Sequence, residues 1–151
     1  MEFNIKHSVL FISVVLTALS AGLFYAWVVS VIPGTKKIPD QAYLETVQSI
    51  NREILNVGFL TIFFGALVFL IVSTFLQYQA KVDTVFYLTL AALLVYAIGT
   101  LGVTMFGNVP LNNVMEALDI SSFTAEDFEH ARAEYEARWN SFNLIRTFAA
   151  L

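Results

Sequence analysis

Three groups of polar residues stand where the sequence is otherwise apolar, and they could do chemistry. The first is Asn108-x-Pro110-x-Asn112. Proline has no amide and disfavours helix at the residue before it, so a helix is predicted to break at Val109. The two side-chain amides could then satisfy freed carbonyls or hold a ligand. The second group is Trp139, Asn143 and Arg146, spaced i, i+4, i+7 and therefore on one helix face. An arginine inside an apolar stretch is costly against lipid. It either turns inward, where it needs a carboxylate, backbone carbonyls or an anionic or carbonyl-bearing ligand, or it snorkels to the interface. The third group is Asn51, Arg52, Glu53 and Asn56.

Other chemistries are poorly supplied. The 151 residues contain no cysteine, which removes disulfides, thiolate metal sites and thiol redox chemistry. The two histidines, His7 and His130, belong to opposite ends of the predicted topology and are not expected to share a metal. His130 with Glu126 and Glu134 reads as a solvated helix face rather than a ligand set. Neither a metal nor a cofactor is therefore expected. A phosphate loop, a dinucleotide glycine pattern and a nucleophile elbow are all missing from the sequence. The net charge of -4 argues against a nucleic-acid surface.

The elements that must position these groups are membrane spans. Hydrophobic residues make up 58% of the chain and charged residues only 13%, against about 25% charged in soluble domains. Mean hydropathy is +0.71. Residues 7–35, 54–80 and 84–115 carry no Asp, Glu, Lys or Arg. Each stretch exceeds the roughly 20 residues that a span requires. The predicted fold is an all-α, polytopic membrane helical bundle forming a single domain over residues 1–151. Spans are placed at about 8–32, 54–78, 84–107 and from 139 onward, with connectors at 34–53 and 108–138. A cleaved signal peptide is the rival reading of the first span, but its apolar run is longer than such a signal's core. The first span should stop at Pro33-Gly34.

In the first connector, Asp40 is expected to cap an amphipathic helix carrying Tyr43, Leu44, Val47, Ile50 and Ile54 inward, running on into the second span. In the second connector, Thr124 and Asp127 form a capping-box pattern. The helix they start should carry Phe128, Ala131, Tyr135, Trp139, Phe142, Ile145 and Phe148 on one stripe. Only twelve residues follow Trp139, a rise of about 18 Å against the ~30 Å hydrocarbon core. The fourth span is expected either to be cut short or to embed part of its upstream half. Ala91, Ala92, Gly99 and Gly102 should turn the third span toward the bundle centre.

Alternation of spans puts both connectors on one membrane side. Lys36, Lys37, Arg52, Arg132 and Arg138 lie there, against Lys6 and Lys81 opposite, which favours a cytoplasmic side for the connectors. All three polar groups converge on that side, as do Tyr25 and Trp27. A polar-mouthed pocket between helices is therefore expected.

The runs SAGLFYAWVVSVIPGT, QSINREILN, GTLGVTMFGNVPLN and ARAEYEARWNSFNLIRT resemble a family of small four-helix membrane proteins that includes anthrone oxygenases. The similarity extends over nearly the whole chain. Matched residue by residue, it singles out Asn51, Asn108, Pro110, Asn112, Trp139 and Arg146. The chain departs from the family pattern at Val57, where members often carry proline, and near Asn143, where some carry histidine. The resemblance implies a cofactor-independent oxygenase, or a binder of a flat lipophilic aromatic or quinone-type ligand. Asn108, Asn112 and Arg146 would then meet an oxyanion, and Trp139, Asn143, Tyr25, Phe106 and Asn51 would contact the ligand. Its setting would be the lipid bilayer, as a multi-pass protein of the plasma (inner) membrane. The alternative is a non-enzymatic scaffold or partner subunit. A transporter is weaker, since no internal repeat is visible and no acid lies inside the first three spans. A cavity of a few hundred Å³ lined by Trp139, Arg146 and the two asparagines would favour a ligand site; a tightly packed bundle would favour the scaffold.

Overall fold

The computed structural model describes residues 5–151. Five helices account for the fold among these residues: α1 (Ile5–Thr35), α2 (Asp40–Glu53), α3 (Val57–Ala80), α4 (Thr84–Glu116) and α5 (Ala125–Ala150). A single 3₁₀ turn, Ile120–Ser122, lies between the last two. Helices α1, α3 and α4 are each long and apolar enough to cross a membrane. Their outward faces are lined with exposed Leu, Ile, Val and Phe, as lipid-facing helices require.

Both prolines lie within helix. The chain does not break at Val109, while α1 ends at Thr35, one residue past the expected stop at Pro33-Gly34. Val109 keeps helical angles, φ −61° and ψ −46°. In each case the turn before the proline widens into a π-helix, Trp27–Val31 and Thr104–Asn108. The residue before the proline then donates five residues back, Ile32 to the Trp27 carbonyl and Val109 to the Thr104 carbonyl. A wider turn relieves the clash between the proline ring and the carbonyl four residues earlier. Helix α4 therefore extends well past residue 107, and much of the expected 108–138 connector is helix.

Helices α2 and α3 are separate, contrary to the continuous helix expected. Asn56 ends the run: its Oδ1 accepts the Phe59 amide at 3.0 Å, and its Nδ2 donates to the Glu53 carbonyl at 2.7 Å. Asp40 makes no capping bond; instead it pairs with Arg132 at 2.9 Å. The capping box at Thr124 and Asp127 is present as expected. The Thr124 hydroxyl holds the Asp127 carboxyl below its ordinary range. That contribution to the α5 terminus is present above the ordinary carboxylate pKa and fades as pH falls through the lowered one.

Two cores result. In the membrane-spanning half, Ala21, Phe24, Phe63, Ala66, Leu70, Tyr96 and Ala150 pack together. There the Tyr96 hydroxyl donates to the Phe63 carbonyl at 3.0 Å and lies 2.9 Å from Ser20, joining three helices. In the connector half, Tyr43, Leu44, Met115, Phe128, Tyr135 and Trp139 pack α2 against α4 and α5. Gln48 donates to the Met115 and Leu118 carbonyls at 2.9 and 3.0 Å, satisfying the end of α4.

The buried stripe of α5 changes character along its length. Phe128, Tyr135 and Trp139 are buried as expected, but Ile145 and Phe148 face outward. Asn143, Arg146, Thr147 and Ala150 take the inner face instead. Ala91 and Ala92 also face outward. Close approach of α4 to α5 rests on Gly99 and Gly107. A Cβ on Gly99 would stand 2.5 Å from that of Ala149, and one on Gly107 would stand 2.8 Å from the Phe142 ring. Ala149 has no rotamer to move, so Gly99→Ala is expected to cost about 1–3 kcal/mol through displacement of α5. Gly102→Ala meets only ordinary contact at 3.4 Å and serves as the control. Thermal unfolding of both variants in detergent checks this, and equal midpoints would refute it.

Candidate functional site

The π turns at Trp27–Val31 and Thr104–Asn108 both contribute to the lining of one cavity. Phe24, Trp27 and Val31 wall it from α1, Tyr43, Val47 and Asn51 from α2, Thr104, Asn108 and Asn112 from α4, and Tyr135, Trp139, Asn140 and Arg146 from α5. Its rim includes Ile54, Leu55 and Phe59 at the α2–α3 turn. Leu55 is 72% exposed, so this rim is an apolar mouth. The cavity volume is about 110 Å³. This is below the few hundred Å³ expected of a pocket preformed for a drug-sized ligand. An apolar cavity of about 150 Å³ accepts benzene. A polycyclic ligand therefore needs the mouth to open.

Arg146 dominates the electrostatics. It points inward and is only 8% exposed, so it does not snorkel. Its Nε and Nη2 donate to the Asn143 Oδ1 at 3.1 and 2.9 Å, and Nη1 donates to the Thr104 hydroxyl at 3.3 Å. The guanidinium lies 4.4 Å from the Phe24 ring centroid and 5.1 Å from that of Trp139. Among the described residues it has no carboxylate partner. Guanidinium has five N–H groups, so two remain uncommitted. This is a buried positive charge held by two neutral oxygens and two aromatic faces.

The aromatic wall continues outward. Trp27 and Trp139 have centroids 5.7 Å apart, and Tyr135 stacks on Trp139 at 6.4 Å. Asn112 fixes this wall: its Oδ1 accepts from Tyr135 Oη at 2.9 Å and from Trp139 Nε1 at 2.8 Å. Asn108 donates from Nδ2 to the Trp139 carbonyl at 3.2 Å. Asn51 lines the mouth, with its side chain beside the Tyr135 hydroxyl. Of the described residues lining the cavity, none is Asp, Glu or His.

The structure thus brings Asn51, Asn108, Asn112, Trp139 and Arg146 to one cavity, with Asn143 directly behind Arg146. Two expected residues are not there. Tyr25 is 52% exposed and Phe106 is 88% exposed. Tyr25 is one residue, about 100° of helix rotation, from Phe24; Phe106 is two residues, about 200°, from Asn108. Both turn toward lipid. Trp27 replaces Tyr25 as the α1 aromatic. The spacing Phe24, Trp27, Val31 (i, i+3, i+7) was the signal for that face. Tyr43, Thr104, Tyr135 and Asn140 also line the cavity without having been singled out as site residues. His130 sits 3.8 Å from Glu134 on an exposed face of α5, remote from the cavity.

Comparison with known families bears on this geometry. A family model described as anthrone oxygenase matches residues 55–151. No curated protein and no solved structure matches the chain. The matched region holds α3 to α5, and with them Thr104, Asn108, Asn112, Trp139, Asn143 and Arg146. It covers well over half the sequence and supplies every polar contact of the buried arginine. The chain belongs to the anthrone oxygenase family.

Proposed function

We propose that this protein is an integral membrane oxygenase of the plasma (inner) membrane, acting on an anthrone-type flat lipophilic ring. The observation that carries the reading is Arg146: a buried cation, without a carboxylate, at an aromatic-walled cavity. Such a charge is poised for an oxyanion, where fixed donors in a dry site stabilise developing negative charge. An anthrone has an acidic methylene para to its carbonyl across the central ring. Losing one proton gives an anion whose charge rests largely on the carbonyl oxygen, the atom suited to the two uncommitted N–H groups of Arg146. Trp139 and Trp27 would flank the ring.

The anion supplies the electrons for the rest. Its ring carbon adds dioxygen, and the peroxide anion takes back a proton from water to give a hydroperoxide. Loss of the remaining proton at that carbon with cleavage of the O–O bond then gives the quinone carbonyl and water. Overall, one anthrone and one dioxygen give one anthraquinone and one water. With no acidic side chain or imidazole in the cavity lining, the first proton leaves to water at the mouth, helped by Arg146 lowering the anion's energy. The lipophilic ring would enter from the bilayer past Leu55 and Phe59.

Purified protein in detergent, given anthrone under air, is expected to consume one dioxygen per anthraquinone formed, above the uncatalysed rate. Binding of neither anthrone nor anthraquinone, with no added dioxygen uptake, would favour a scaffold instead.

A further inference from the structure

Two buried amides at the inner end of the site have one atom each left over, and chemistry decides which atom it is. Asn108 faces the Trp139 carbonyl, which can only accept, so its Nδ2 must point there and Oδ1 is left. Asn143 faces the Arg146 guanidinium, which can only donate, so its Oδ1 must point there and Nδ2 is left. Both leftover atoms are buried without a partner among the described residues. The two side chains are 1% and 0% exposed. An orphaned polar atom in a bundle surrounded by lipid costs several kcal/mol.

They also share a layer. Asn108 bonds the carbonyl of Trp139, while Thr104, one turn away on α4, receives Arg146. Asn143 lies between Trp139 and Arg146 on the facing helix, between those two rungs. One leftover atom is an acceptor and the other a donor. An oxyanion set against Asn108 Oδ1 would be repelled. The pair suits a group that donates and accepts through one oxygen.

We propose that Asn108 Oδ1 and Asn143 Nδ2 form a seat for a single hydroxyl-type oxygen, a water at rest and the substrate hydroperoxyl during turnover. The resting half stands on the buried amides alone; the turnover half rests on the proposed oxygenase reading. In turnover the hydroperoxyl O–H donates to Asn108 at the cavity wall, and its terminal oxygen reaches Asn143, behind Arg146, as the cavity widens to admit the ring. When the ring carbon loses its proton and the O–O bond breaks, the electron pair of that bond goes to the terminal oxygen. Asn143 stabilises it as hydroxide, which takes a proton to leave as water. Arg146 holds the ring oxygen while the anthrone anion exists, and Asn143 the leaving oxygen once the O–O bond breaks, so the charge that develops at each stage has its own seat.

Asn108→Leu removes the acceptor and does not touch Arg146. Anaerobic binding of anthraquinone, read by quenching of Trp27 and Trp139, is measured alongside, so that a loss of binding is separated from a loss of turnover. Dioxygen uptake with anthrone should continue, but anthraquinone release should fall at least about tenfold, with a hydroperoxide of anthrone mass plus dioxygen accumulating. Anthraquinone formed at the parent rate overturns the turnover half. In the unaltered protein in lipid, a magnetisation-transfer signal between water and the Asn143 side-chain amide is expected. A missing signal overturns the seat itself, whether or not anthrone is a substrate. Absent uptake by the unaltered protein together with a clear water signal removes the oxygenase reading and leaves the seat standing.

Discussion

Arg146→Leu is expected to weaken anthraquinone-type binding by at least about a hundredfold while leaving the protein as stable as before, or more so. The two uncommitted N–H groups are each able to make a charge-assisted hydrogen bond, worth about 1.5–3 kcal/mol; losing both corresponds to that factor or more. Stability moves the other way because this charge has no counter-ion among the described residues. Replacing a buried ion by an apolar side chain of similar volume is often neutral or stabilising. Against this gain, the Asn143 Oδ1 loses both its donors, which offsets much of it, while the Thr104 hydroxyl loses one donor and keeps its bond to the Thr100 carbonyl. Arg146→Lys keeps the charge as a single point and loses the planar fork, so its affinity should fall between the two. Titration by tryptophan quenching and thermal unfolding in the same detergent read both quantities. A variant that loses stability and keeps its affinity would make Arg146 a packing residue and remove the proposed site.

The sequence carried the coarse frame because that frame depends on local composition. Uncharged stretches marked α1, α3 and α4, and the Thr124–Asp127 pattern marked the start of α5. The i, i+4, i+7 spacing put Trp139, Asn143 and Arg146 on one buried face. What was not legible depended on a partner from elsewhere in the chain. Proline rules are local, yet Pro33 and Pro110 sit in continuous helix because π turns open beside them. Asn108 was recognisable as a polar group at the site, but which of its atoms is free depends on the Trp139 carbonyl, 31 residues away. Tyr25 and Phe106 were chosen for type and membrane depth, and helix rotation sends both outward. Arg132 looked like one cation among many acids. Its partners Thr35, Ile38 and Asp40 are 92 to 97 residues away, and no spacing rule reaches that far.

Arg132 is where the second large effect is expected. Its guanidinium donates to Glu136 at 2.8 Å on its own helix, and to Asp40 at 2.9 Å, the Ile38 carbonyl at 2.9 Å and the Thr35 carbonyl at 3.1 Å across the interface. It also lies 4.3 Å over the Tyr43 ring. One planar fork thus ties the α1–α2 linker and the first turn of α2 to α5. Helix α2 is the cavity wall that bears Tyr43, Val47 and Asn51. Arg132→Leu leaves the largely buried Glu136 carboxylate without its cation, a loss of about 3–5 kcal/mol for a pair broken on one side. The linker is freed as well. Lys36 and Lys37 lie in it and are exposed, so trypsin should cut there at least about tenfold faster, and anthraquinone affinity should fall as the wall loosens. Lysine at 132 has three donors around a single nitrogen and cannot span all four acceptors, so it should rescue only in part. The double variant Arg132→Leu with Glu136→Leu separates the causes. Removing both charges should restore thermal stability, because the one carboxylate then left without Arg132 is Asp40, which is 40% exposed and reaches water. It should not restore trypsin resistance or affinity, because nothing then holds the Thr35 and Ile38 carbonyls. If the double variant recovers all three, Arg132 serves only to neutralise Glu136, and α2 is held by its apolar face, Gln48 and the Arg52–Glu116 pair.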